Sequence, residues 1–173
     1  MTVALSVFRI QNKVMRKQIL KSHPPVSPSA VGELDVAMLA TVLVTSESAA
    51  HPVENAFDGR RGPGASRWIA DTQGEQTLIL AFDAPQAIRT VSLEIEETEE
   101  RRTQELQLAV SRDGGQSYRE LVRQEFHFAP QGATFEREEW TVNAEAVTHL
   151  RLQIKPDKGD RPGRASLTAL VLR

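Results

Sequence analysis

From residue 36 to the C-terminus the chain is cut into short runs in which apolar and polar residues alternate, with no helical segment of useful length between them. Leu78, Leu80 and Phe82 fall on one side of an extended segment. Val91, Leu93 and Ile95 fall on one side of another, with Ser92, Glu94 and Glu96 turned the other way. Leu106, Leu108 and Val110 repeat the pattern, followed by Leu150, Leu152 and Ile154, and by Leu170 and Leu172. Further candidates at 37–45, 118–128 and 134–141 bring the strands to at least seven. Asp83-Ala84-Pro85, Asp113-Gly114-Gly115, Ala129-Pro130-Gln131-Gly132 and Pro156-Asp157-Lys158-Gly159 punctuate the runs as turns. Without crossover helices, successive strands pair antiparallel, and outward Glu, Arg and Gln describe sheets wet on one side. The expectation is an all-β antiparallel sandwich.

A chain of 173 residues has room for one domain with a hydrophobic core, and a second full domain would be crowded. The core domain is expected over 36–173. Residues 1–22 form an extension carrying Arg9, Lys13, Arg16, Lys17 and Lys21 among Leu5, Phe8, Ile10, Val14, Met15, Ile19 and Leu20. Their loose helical spacing allows a basic amphipathic helix able to touch a membrane surface or a partner; a frayed or docked extension is the other reading. Residues 23–35 read as a linker, because three prolines among His23-Pro24-Pro25-Val26-Ser27-Pro28 stop any helix.

Several classes of function are excluded or disfavoured. The absence of cysteine removes disulfides, thiolate metal sites and cysteine nucleophiles. No apolar run approaches the roughly 20 residues of a membrane helix, and no signal peptide opens the chain, so a cytoplasmic protein is expected. Once the five N-terminal cations are set aside, 16 basic groups face 23 acidic ones, which argues against a nucleic-acid partner. His23, His51, His127 and His149 are scattered, and no HExxH, GxSxG or phosphate-cradling motif marks a catalytic group; an enzyme is not expected.

The order of the motifs says more than any one of them. Ala56-Phe57-Asp58-Gly59 is followed by Ser66-Arg67-Trp68-Ile69-Ala70, then Gln76–Asp83, Ile88–Leu93 and Leu108-Ala109-Val110-Ser111-Arg112-Asp113-Gly114-Gly115-Gln116-Ser117-Tyr118. In the last, the two glycines supply the positive backbone angles of a tight turn, and Ser111 and Asp113 are placed to hydrogen-bond it. Gly62-Pro63-Gly64 lets the loop before Trp68 fold tightly, and Trp68 is expected to plug the end of the sandwich beneath it. This order resembles the discoidin, or coagulation factor 5/8 type C, family over roughly residues 36–173. That family has the galactose-binding-like jelly-roll fold, also that of family 32 carbohydrate-binding modules.

The resemblance implies a non-catalytic module that recognises a carbohydrate or similar polar ligand through loops at one end of the sandwich; a protein-interaction module of the same fold is the alternative. The loops offer His51, Arg60, Arg61, Arg67 and Trp68 from the first, Arg101 and Arg102 from the second, and Lys158, Arg161 and Arg164 from the last. Sugar-binding relatives also wrap a structural calcium ion in the first loop, using carbonyl oxygens, an Asp and a carboxylate near the C-terminus. Asp58 and Ser66 are the matching donors here, but Arg60 and Arg61 bring positive charge, and the final strand reads Ser166-Leu167-Thr168-Ala169-Leu170-Val171 where relatives often carry Glu. Exposed aromatics are scarce, with Phe126, Phe128, Phe135 and Trp140 the remaining platforms, each also readable as core. The charge run Glu94–Arg102 reads as a solvated strand end.

Overall fold

The computed structural model describes residues 15–19 and 32–173. Two long strands organise it: β4 (Gln76–Glu96) and β7 (Phe135–Lys155), each of 21 residues, pair antiparallel along nearly their whole length. Their register slips between Ala81 and Thr90, so each ribbon bends and serves both layers of the sandwich. The first layer runs β1 (Lys17–Ile19), β2 (Ala40–Val44), the first half of β4, the second half of β7, β5 (Arg102–Ser111) and β6 (Arg119–Phe128). In the second layer β9 (Ala169–Leu172) pairs with β4 at Val91–Glu94, beside the first half of β7. A two-stranded sheet of β3 (Trp68–Ile69) and β8 (Ser166–Leu167) stands apart. A four-residue helix, α1 (Val36–Leu39), and a 3₁₀ turn at Val53–Phe57 are the remaining regular elements described.

The alternating apolar residues do what their period requires. Leu78, Leu80, Phe82, Val91, Leu93, Ile95, Leu106, Leu108, Val110, Leu150, Leu152, Ile154, Leu170 and Leu172 all belong to one buried cluster. Trp68 is wholly buried in it, and its indole N–H donates to the carbonyl of Ser46 at 3.1 Å. At the Ser111–Tyr118 turn, Gly114 and Gly115 adopt φ of 75° and 85°. The Asp113 carboxylate accepts from Ser111 Oγ (2.6 Å) and Ser117 Oγ (2.5 Å). Tyr118 lies under the guanidinium of Arg151, 4.3 Å from the ring centre.

Three expectations need correction. Residues 17–19 follow the docked reading of the extension and not the helical one: they form a strand parallel to β2, the one parallel pairing among the described strands. It is fixed by Lys17 against Glu47 (2.6 Å) and Glu54 (3.1 Å), by an Arg16–Asp83 ion pair, and by burial of Met15. The rest of the extension, 1–14 and 20–22, lies outside the described residues, as does the proline segment. Within the expected linker, Leu34 is buried and donates its N–H to the carbonyl of Leu172 at 2.8 Å. Third, the outward face of β4 is not wet at its end. Glu94 and Glu96 are buried, because the 58–67 loop folds over them.

Candidate functional site

Strand registers decide where the loops go. Gln76 pairs with Ile154, Glu105 with Lys155, Arg102 with Phe128, and Glu96 with Phe135. The segments 45–75, 97–101, 129–134 and 156–165 therefore emerge at one end of the sandwich, and the Ser111–Tyr118 turn at the other. Between the first, second and last of these loops lies a cavity of about 480 Å³. His51, Arg67, Arg102 and Arg164, four of the residues expected at a binding site, line it together with Gln73, Thr98, Ser166 and the carboxylates Glu96, Glu97, Glu99 and Glu100.

Ion pairs between loops brace the walls. Arg67 Nη1 donates to Glu96 Oε2 at 3.0 Å, joining the first loop to the end of β4, and Asn55 Nδ2 donates to the Arg67 carbonyl at 3.0 Å. Arg102 is buried, with Nη2 at 2.6 Å from Glu97 Oε2 and Nη1 donating to the carbonyl of Arg164 at 3.0 Å. The other oxygen of Glu97 accepts the N–H groups of Glu99 (2.8 Å) and Glu100 (3.0 Å), which fixes the turn between β4 and β5. Arg67 and Arg102, expected as ligand contacts, are thus committed largely to holding the loops. His51, Gln73, Thr98 and the exposed Arg164 also line the cavity. The charge run is accordingly part wall and part brace, with only Thr98–Arg101 exposed in it.

The remaining expected contacts lie elsewhere. Arg60 and Arg61 border a separate groove of about 560 Å³ with Phe57, Leu34 and Leu170, and Arg61 pairs with Glu33 at 2.8 Å. Trp68, buried in the core, presents no face to a ligand. Arg101 is exposed, and its carbonyl accepts from Arg161 at 2.7 Å. Arg161 grips Asp157 at 2.6 Å, and that hydrogen bond holds the Asp157 carboxyl below its usual range. Lys158 pairs with Glu125. Phe126 and Phe128 are buried and Phe135 and Trp140 are half-buried on β7, and among the described residues no Phe, Tyr or Trp ring lines the end cavity.

The residues at the first loop do not fit a calcium ion. Asp58 and Ser66 do come together, but with each other: Oδ2 of Asp58 accepts from Ser66 Oγ at 2.5 Å and Oδ1 from the N–H of Arg60 at 2.8 Å. Calcium needs about six to eight oxygen ligands. No group of three or more His, Asp or Glu side chains able to hold a metal is found among the described residues. Glu94 and Glu96 read as solvated in the sequence because strand alternation turns them outward. The signal that could have found them is the matched spacing of Gly62 and Gly64 with Glu94 and Glu96.

No helix among the described residues is long and apolar enough to cross a membrane. No curated protein matches the chain in sequence. Solved structures do match in fold. A family 32 module from Clostridium perfringens, in complex with GalNAc-β-1,3-galactose, superposes with a TM-score of 0.58 at 18% identity, covering 82% of this chain and 99% of that one. The family 32 module of AlyQ, in complex with 4,5-unsaturated mannuronic acid, gives 0.59 at 17% identity over 83% and 98% of the two chains. A chitosan-binding module from Paenibacillus sp. IK-5 gives 0.57 at 19% over 81% and 98%. The family model of the F5/8 type C domain matches residues 41–169, from the second residue of β2 to the first of β9, and the chain therefore belongs to the F5/8 type C domain family.

Proposed function

We propose that this domain is a non-catalytic module that binds a carbohydrate in the end cavity bordered by His51, Thr98 and Arg164. The observation that carries this reading is the convergence of three loops on one polar cavity whose walls are already braced by the Arg67–Glu96 and Arg102–Glu97 pairs. Preorganised walls reduce the ordering cost of binding. About 480 Å³ lies within the roughly 300–1,000 Å³ range of small-ligand sites. The structural neighbours named above in complex with sugars support the ligand class.

With no Phe, Tyr or Trp ring among the described residues of the wall, recognition rests on hydrogen bonds to hydroxyl, amide or carboxylate groups rather than on an aromatic platform. Arg164 is the group suited to a bidentate contact. Calorimetric titration with galactose, N-acetylgalactosamine, a uronic acid and a chito-oligosaccharide tests the proposal. Binding of at least one, lost in Arg164→Ala and His51→Ala without a change in melting temperature, is expected. Silence across the panel at millimolar sugar refutes it.

A further inference from the structure

We infer that this domain closes its first loop with two buried carboxylates, Glu94 and Glu96, in place of a calcium ion, so that the loop and the cavity wall it forms hold their shape without calcium. Each carboxylate takes one guanidinium and the backbone of the loop. Glu94 accepts the N–H of Gly62 at 2.6 Å through one oxygen and Arg137 Nε at 2.7 Å through the other. Glu96 accepts the N–H of Gly64 at 3.0 and 3.1 Å, with Arg67 Nη1 at 3.0 Å. Both side chains are nearly sealed from solvent, at 3% and 9% exposure.

The polarity of the loop is what decides between the two modes of closure. A calcium loop turns carbonyl oxygens inward. Here Gly62 and Gly64, at φ of 87° and 78°, turn their two N–H groups, on either side of Pro63, toward the sheet, where each is accepted by a carboxylate. The anion is supplied by the protein: two glutamates two residues apart on β4 meet two glycines two residues apart in the loop. A cation there would face the guanidinium groups of Arg67 and Arg137, already paired with those carboxylates. The C-terminal run Ser166–Val171 holds no carboxylate, and Thr168 within it is fully buried and donates its N–H to the backbone carbonyl of Glu94 at 2.8 Å.

Because Glu96 holds Arg67 as well as Gly64, the same clamp fixes one wall of the end cavity. The inference stands apart from the sugar-binding reading, since no sugar enters its test. The loop contains its own probe in the bonds after Arg60 and Arg61, which trypsin cuts when the loop opens. The full chain is digested in EDTA and in millimolar calcium chloride, and the cut at 60–62 is followed by mass spectrometry, with melting temperatures taken in the same buffers. The half-life of the loop is expected to agree within about twofold in the two buffers, and the melting temperature within about 1 °C. Glu94→Gln/Glu96→Gln is expected to shorten the half-life at least about tenfold in either buffer. Should that variant not fold, Arg137→Ala serves instead, since it removes a largely exposed partner of Glu94 and is expected to speed cleavage several-fold. Protection or a raised melting temperature in calcium overturns the inference, as does wild-type cleavage in the folded clamp variant.

Discussion

Glu97 and Arg102 form a buried ion pair across the base of the turn between β4 and β5, 2.6 Å apart, with side chains 12% and 5% exposed. Because Arg102 also holds the carbonyl of Arg164, this pair ties the second loop to the last. Removing one partner strands the other in a poorly solvated place. Glu97→Ala is expected to cost about 3–5 kcal/mol in chemical denaturation, whereas Glu97→Leu/Arg102→Met recovers much of that loss. The double variant separates stability from function, because its last loop is no longer held and sugar binding falls even where the fold is restored.

Trp68 offers a test of the core beneath the loops. Trp68→Ala opens a large cavity and is expected to cost about 3–5 kcal/mol. Trp68→Phe retains most of the packing but leaves the Ser46 carbonyl without its indole donor, a loss of about 1–3 kcal/mol. Urea unfolding curves of the two variants should keep this order.

The two glycines at 115 and 132 should respond differently to the same change. Gly115 has φ of 85°, and a β-carbon there would meet His149 and the Tyr118 hydroxyl at 3.3 Å. Gly115→Ala is expected to lose about 1–3 kcal/mol. Gly132 has no positive φ and would meet nothing nearer than 3.7 Å, so Gly132→Ala leaves the melting temperature unchanged.

Hydrogen bonds from Ser111 and Ser117 hold the Asp113 carboxyl well below its ordinary range. A carboxyl whose folded pKa is depressed contributes stability above its unfolded pKa, and that contribution is lost as pH falls through the folded value. Asp113→Asn should therefore flatten the acid limb of a plot of melting temperature against pH and leave the slope on the alkaline side unaltered. An acid limb unchanged in the variant contradicts this assignment.

The sandwich was legible because the inward residues are strongly apolar and the strand period is 2, so Leu78 to Phe82 and Val91 to Ile95 can face only the core. The turn at Asp113-Gly114-Gly115 was equally legible, since its hydrogen bonds join residues close in sequence. What alternation could not supply was the cover over a sheet's outer face. Glu94 and Glu96 sit in the polar positions of β4, and their burial follows from a loop about 30 residues earlier that folds back onto them. The candidate site divided along the same line. His51, Arg67, Arg102 and Arg164 line one cavity because strand order brings the segments that carry them to one end. That Arg67 and Arg102 serve as braces depends on partners from other segments, which no local pattern records. The parallel β1 was missed because three residues with two charges nearby carry too little periodicity to signal a strand.

The bending of β4 and β7 through both layers has a mechanical meaning. In a sandwich whose layers are separate ribbons, the faces can slide or peel apart along the core. Here the same two backbones stitch the faces together, and a tug on the loop end is carried along continuous polypeptide to the far pole. A load on the loop end would therefore be met by tearing of the β4–β7 hydrogen-bond ladder rather than by parting of the layers.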